Sequence, residues 1–203
     1  MMIDYTRKLV FLSNRKVAST SMERALGQVK GMARLNGNPV LKHIDYTRYR
    51  RMEAPLRTNG FTTITVVREP FDKAVSWYKF RARDTLKDDP RYVGHLDFPT
   101  FLDNFITGKS GWAMEFLDNL FCTDTRSGDT VDMIFKYENL GAFETLLRNI
   151  YGAELVLPEL NVSEPTPEPI DFEASRKTYE QAFATEFEWY RNLPNPPVTL
   201  PES

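Results

Sequence analysis

Cysteine occurs once in the chain, at Cys122, and histidine twice, at His43 and His95. A lone thiol closes no disulfide within the chain and no thiolate zinc cage, and two imidazoles fall short of most metal sites, so no metal is expected. Long apolar runs are missing as well. Stretches such as LVFL and ITVV lie far below the ~18 residues that span a bilayer. The opening MMIDYTRKLVFL has no cationic segment leading into an apolar one and a small-residue cleavage site, so no secretory signal is read and a cytoplasmic location is expected. Repeats and low-complexity tracts are absent too. What remains is 41% hydrophobic, 13% aromatic and 27% charged over 203 residues. That composition excludes a disordered, collagenous or coiled-coil chain, and the length suits a single domain whose tail, 194–203, is rich in proline and expected to fray.

The net charge of -2 conceals an asymmetry. Residues 1–100 carry 19 Lys and Arg against 10 Asp and Glu, whereas residues 101–203 carry 7 against 18. A basic half suits an anionic ligand, and an acidic half argues against a nucleic-acid binder. Two complementary faces of one domain would give the same balance.

The periodicities predict alternating strands and helices. KLVFLS at 8–13 and TTITVV at 62–67 read as buried strands, the second β-branched almost throughout, as a strand covered on both faces requires. A third strand is expected over 131–137. After the first strand, Met22, Ala25, Leu26 and Val29 form an apolar stripe, with Thr20 and Glu23 as a capping box and Gly31 as terminator. After the second, Pro70 suits a first helical turn. Further helices are expected over 98–106, 112–121, 140–151 and 172–189, a basic one around 46–53, and extended segments over 39–44 and 158–169. This pattern implies an α/β fold, a central parallel sheet flanked by helices.

Two junctions carry the candidate chemistry. In LSNRKVASTSMERAL, residues 12–26, a strand turns into a helix start. There the N–H groups of Ser21, Met22 and Glu23 are expected to face an anion, with the Lys16 ammonium and the hydroxyls of Ser19, Thr20 and Ser21 beside them. No glycine lies between Lys8 and Arg24, so this is not a Walker loop. An ordinary capped helix with a surface lysine would explain the same residues. In TVVREPFDKAVSWYKF, residues 65–80, Arg68 ends a strand where ligands of open α/β sheets bind, and its guanidinium can grip a phosphate. Ser76 adds a hydroxyl. An Arg68–Asp72 ion pair with Ser76 solvated is the plainer account of that stretch.

Taken together, the two stretches resemble the sulfotransferases. RKVASTS is similar to their 5'-phosphosulfate loop, P-K-T-x-x-T-S, and VVREPFDKAVSWY to their 3'-phosphate motif, V-R-[DNE]-P-x-[DE]-R-x-x-S-x-Y. The likeness is strongest to the carbohydrate sulfotransferases, including the heparan 2-O-sulfotransferases, and their bacterial relatives. LKHIDYTRYR at 41–50, FKYENL at 135–140 and LNVS at 160–163 add weaker matches. The resemblance implies a P-loop-like sulfotransferase fold and 3'-phosphoadenosine 5'-phosphosulfate (PAPS) as donor, with 3',5'-adenosine bisphosphate as product. It places the loop residues Arg15, Lys16, Ala18, Ser19, Thr20, Ser21 and Met22 around the 5'-phosphosulfate, and Arg68 and Ser76 at the 3'-phosphate. Arg15, Val17 and Lys73 depart from the family's proline, threonine and arginine.

Transfer of a sulfuryl group rests on positioning and electrostatics, as phosphoryl transfer does. Lys16 would stabilise the leaving phosphate. His43, in the segment similar to the family's K-H motif, is the candidate general base, and His95 the alternative. A hydroxyl acceptor is implied, a carbohydrate or other small molecule, and Arg48, Arg50 and Arg51 suggest an acidic one. Glu23 would repel the donor and is expected to point away, and Cys122 is read as core. A small-molecule kinase and a nucleotide-binding module without catalysis are the competing readings.

Overall fold

The computed structural model describes residues 1–35, 39–109, 117–158 and 172–200, without the side chains of 39, 40 and 172. They form two compact units. The first comprises Met1–Arg68, Asp118–Leu160 and Leu193–Ser203, and the second Glu69–Leu117 and Asn161–Asn192.

The first unit is built on a five-stranded sheet in the order β3-β1-β2-β4-β5. Its strands are β1 (Met2–Asp4), β2 (Leu9–Leu12), β3 (Met32–Arg34), β4 (Thr62–Val67) and β5 (Met133–Lys136). β2, β4 and β5 pair in parallel, and β1 alone runs against its neighbours. The sheet is therefore mostly parallel, as the alternation predicts. β1 and β3, of three residues each, are additions to the expected strands.

Register sorts the side chains into two faces. Met2, Phe11, Ile64 and Met133 stand in one row across four strands. That face packs against Met22, Ala25 and Leu26 of α1 (Ser19–Leu26) and Phe143, Leu146 and Leu147 of α7 (Leu140–Tyr151). On the other face Val10, Leu12, Thr63, Thr65 and Val67 are also buried, which is why β4 can be apolar or β-branched at every position.

Between these come α2 (Pro39–Lys42), α3 (Tyr46–Leu56) and α6 (Asp118–Cys122). The segment expected to be extended over 39–44 thus opens as a turn of helix, with Pro39 at a first position where its missing N–H costs nothing. α1 ends at Leu26, not near Gly31, which instead holds a φ of 87° just ahead of β3. No helix of the described residues is long and apolar enough to cross a membrane.

The second unit holds α4 (Pro70–Arg81), α5 (Phe98–Ile106), α8 (Phe172–Ala182) and α9 (Ala184–Asn192). Its core is aromatic, with Phe71, Trp77, Phe98, Phe101, Phe105, Tyr179 and Phe187 buried together. Glu69 caps α4 by accepting from the Asp72 N–H at 2.8 Å, and Asp97 caps α5 through the Thr100 N–H at 2.8 Å. The single helix expected over 172–189 is broken at Phe183, whose ring packs 4.8 Å from Tyr179 and 5.7 Å from Phe105. The helix over 112–121 is described only from 117 on. Of the extended segment over 158–169, all but Pro158 lies outside the described residues, and LNVS at 160–163 lies outside them entirely.

Candidate active site

β2 and β4 are hydrogen-bonded neighbours with Leu12 level with Thr65. Their carboxyl ends therefore open side by side, and the two junctions singled out in the sequence begin there. Beyond β2 the chain turns sharply, with the Asn14 N–H returning to the Leu12 carbonyl at 3.0 Å. Lys16 and Ala18 then take left-handed backbone conformations, with φ of 62° and 59°. Neither is glycine, so both positions carry a steric cost that ordinary loops avoid.

This geometry revises the start of α1. Its N-cap is Ala18, and no side chain caps the helix. The capping box of Thr20 and Glu23 is not formed, because a left-handed Ala18 begins the helix earlier than such a box requires. The Met22 N–H bonds to the Ala18 carbonyl at 3.1 Å, and the Met22 side chain enters the core. The open main-chain donors are consequently those of Ser19, Thr20 and Ser21, not of Ser21, Met22 and Glu23. Thr20 is exposed, Arg15, Lys16 and Ala18 are half-buried, and Ser19 and Ser21 are buried.

Glu23 belongs to α1 and lies close enough to His43 to act on its charge. It is buried, and its Oε2 lies 3.7 Å from the Lys42 ammonium. Its Oε1 is buried without a hydrogen-bond partner among the described residues.

Arg68 follows β4 directly. Its guanidinium carbon lies 4.6 Å from the centroid of the Tyr137 ring, just beyond β5. That is cation–π distance, worth about 0.5–2 kcal/mol. Arg68 Nε is buried and has no acceptor among the described residues. The expected Arg68–Asp72 ion pair gives way to another: in the second unit Asp72 is held by Arg176 at 3.3 Å. Ser76, also in that unit, is buried on α4 and not solvated.

His43 is brought to the base of the same loop. Its Nδ1 lies 2.7 Å from the Ser13 carbonyl. A carbonyl only accepts, so Nδ1 carries the proton and Nε2 keeps a lone pair. Burial, reinforced by the Arg15 and Lys42 charges and opposed by the Ser13 bond and Glu23, pushes the pKa of His43 down to about 4. The ring is neutral at pH 7.

A stability effect follows. Between about 4 and the ordinary value of 6.5 the unfolded chain holds the extra proton and the folded chain does not. The contribution is thus present above 6.5 and is lost as pH falls through this window toward 4. Thermal unfolding followed from pH 7 downward should show a steeper loss in the parent protein than in His43→Gln. Parallel curves would mean that the imidazole is not desolvated in the folded chain.

His95 is exposed in the second unit, beside the ring of Tyr92 at 6.0 Å. Two of the three arginines of the basic run of α3 make ion pairs. Arg48 pairs with Asp45 at 3.3 Å, and Arg50 with Glu53 at 3.0 Å and Asp129 at 3.7 Å. Asp129 precedes β5, so Arg50 lies toward the amino-terminal side of the sheet.

Asp118 escaped the sequence reading, and Asn14 and Tyr137, though inside its motifs, were given no role there; the structure sets Asn14 on Asp118 and Tyr137 against Arg68. No curated protein and no solved structure matches the chain. A model of the sulfotransferase family, in contrast, matches residues 1–186, a span that contains the turn after β2, His43 and Arg68 together. On that match the chain belongs to the sulfotransferase family.

Proposed function

We propose that the protein transfers the sulfuryl group of PAPS to a hydroxyl acceptor, with carbohydrate as the acceptor class. The observation that carries this reading is the adjacency of β2 and β4, from whose carboxyl ends the loop donors and Arg68 both follow, the Arg68 Nε having no acceptor among the described residues. PAPS is the donor that this family generally uses. The residues fit such a nucleotide. Among the described residues a buried guanidinium nitrogen lacks an acceptor, and three main-chain donors open at the positive end of the α1 dipole.

In this reading Lys16, the N–H groups of Ser19, Thr20 and Ser21 and their hydroxyls hold the 5'-phosphosulfate. Arg68 holds the 3'-phosphate. The bound nucleotide supplies the sulfuryl group. Lys16 and the helix start offset the negative charge that grows on the departing phosphate oxygen. His43 Nε2 receives the acceptor's hydroxyl proton, while Nδ1–H stays on the Ser13 carbonyl and fixes the ring plane.

Thermal shift and transfer assays test this. 3',5'-Adenosine bisphosphate should raise the unfolding temperature, and radiolabelled PAPS should label a hydroxyl-bearing oligosaccharide. A larger shift with ATP and magnesium than with the bisphosphate would replace this reading with the kinase. Binding without transfer to any acceptor would leave the nucleotide-binding module.

A further inference from the structure

The two phosphate-facing ends of the sheet are tied by one buried carboxylate. Asp118, the first residue of α6, is 1% exposed. Its Oδ1 accepts from Asn14 Nδ2 at 2.6 Å, and its Oδ2 from the main-chain N–H of Arg68 at 3.1 Å. Asn14 Nδ2 also donates to the Val66 carbonyl at 3.1 Å, and Asn14 Oδ1 accepts from the Arg15 N–H at 2.7 Å. A continuous hydrogen-bonded path therefore runs from the Arg15 amide through Asn14 and Asp118 to the Arg68 amide. One end adjoins Lys16 and the other is the backbone of Arg68 itself.

The carboxylate of Asp118 is buried. It is desolvated, at a cost of several kcal/mol, and it sits between groups whose proposed ligands are anions. Attraction for the nucleotide is no reason for it. Geometry is: the Asn14 amide and the Arg68 N–H both donate to it, and only a carboxylate offers each an oxygen, whereas an amide in its place would accept from one and turn an NH2 toward the other.

Building on the proposed donor, we infer that Asp118 is a positioning residue. It fixes the loop after β2 and the end of β4 at one separation, so that a nucleotide bearing both a 5'- and a 3'-phosphate gains affinity that neither phosphate confers alone. The gain is preorganisation, since two charged contacts already at the right spacing need no ordering when the second engages.

Calorimetric titration of the parent protein and Asp118→Asn with 3',5'-adenosine bisphosphate and with 5'-AMP tests this. In Asp118→Asn the bisphosphate should bind about tenfold more weakly, the equivalent of ~1.4 kcal/mol, while 5'-AMP changes much less. The advantage of the second phosphate then shrinks. A purely structural role predicts an equal loss for both ligands, or a lower unfolding temperature alone, and either result overturns the inference. Failure of the parent protein to bind the bisphosphate at all would instead sink the proposed donor, and the inference with it. Should Asp118→Asn not fold, hydrogen exchange at the Arg68 amide of the unaltered protein decides. 5'-AMP alone should slow it, and an unchanged rate overturns the coupling.

Discussion

Arg68→Ala should bind 3',5'-adenosine bisphosphate about 100-fold more weakly than the parent chain, which is two charge-assisted hydrogen bonds at ~1.5 kcal/mol each. The loss of ligand-induced thermal stabilisation should be near complete. The fold should tolerate the change, because Arg68 Nε has no acceptor among the described residues and so leaves none unpaired on its removal. The structural loss is confined to the stacking on Tyr137 at 4.6 Å. Arg68→Lys separates charge from shape: an ammonium keeps the Coulomb attraction but not the paired donors, so most of the affinity should still be absent. Bisphosphate binding that survives Arg68→Ala intact would remove this residue from the site.

His43→Ala should lower turnover by about 10²–10⁴-fold, the usual contribution of a general base, with bisphosphate binding little changed. The pH profile makes the test specific. Because the pKa of His43 is about 4 in the free chain, kcat/KM should rise with pH through that region and level off well before neutrality. The lowering owes part of its size to the Arg15 and Lys42 cations, and a bound polyanion opposes them. The midpoint in kcat, which reports the complex, should therefore lie higher than the midpoint in kcat/KM. Coincident midpoints, or a flat profile in the parent protein, would argue that another group takes the proton.

Much of the fold was legible locally, and the reasons differ by element. Thr62–Val67 matches its strand residue for residue because burial on both faces leaves an uninterrupted β-branched run. Phe98–Ile106 and Leu140–Tyr151 match because one apolar stripe recurs at helical spacing. β1 escaped notice because three residues carry no period, and its pairing with β3 is a partnership across some thirty residues. The capping box failed for a different reason. The spacing of Thr20 and Glu23 was right, but a left-handed backbone at Ala18 moved the helix start, and no side chain announces that in advance. Among the candidate site residues, Lys16 and Arg68 were visible as cations at strand ends, and His43 through the resemblance of its segment to the family's K-H motif. Asn14 and Asp118 lie 104 positions apart, and only the folded sheet makes them neighbours.

The turn after β2 has one more implication. A loop rich in glycine is supple, and settles around its guest only when the guest arrives. Here the two unusual backbone angles belong to Lys16 and Ala18, side-chain-bearing residues that visit few alternatives once placed. The proposed donor would thus meet a loop whose shape is set as the chain folds. On the proposed reading, Gly at position 18 should relieve the left-handed angle yet widen the loop's choices, and so weaken binding of the bisphosphate with little change in the stability of the empty protein.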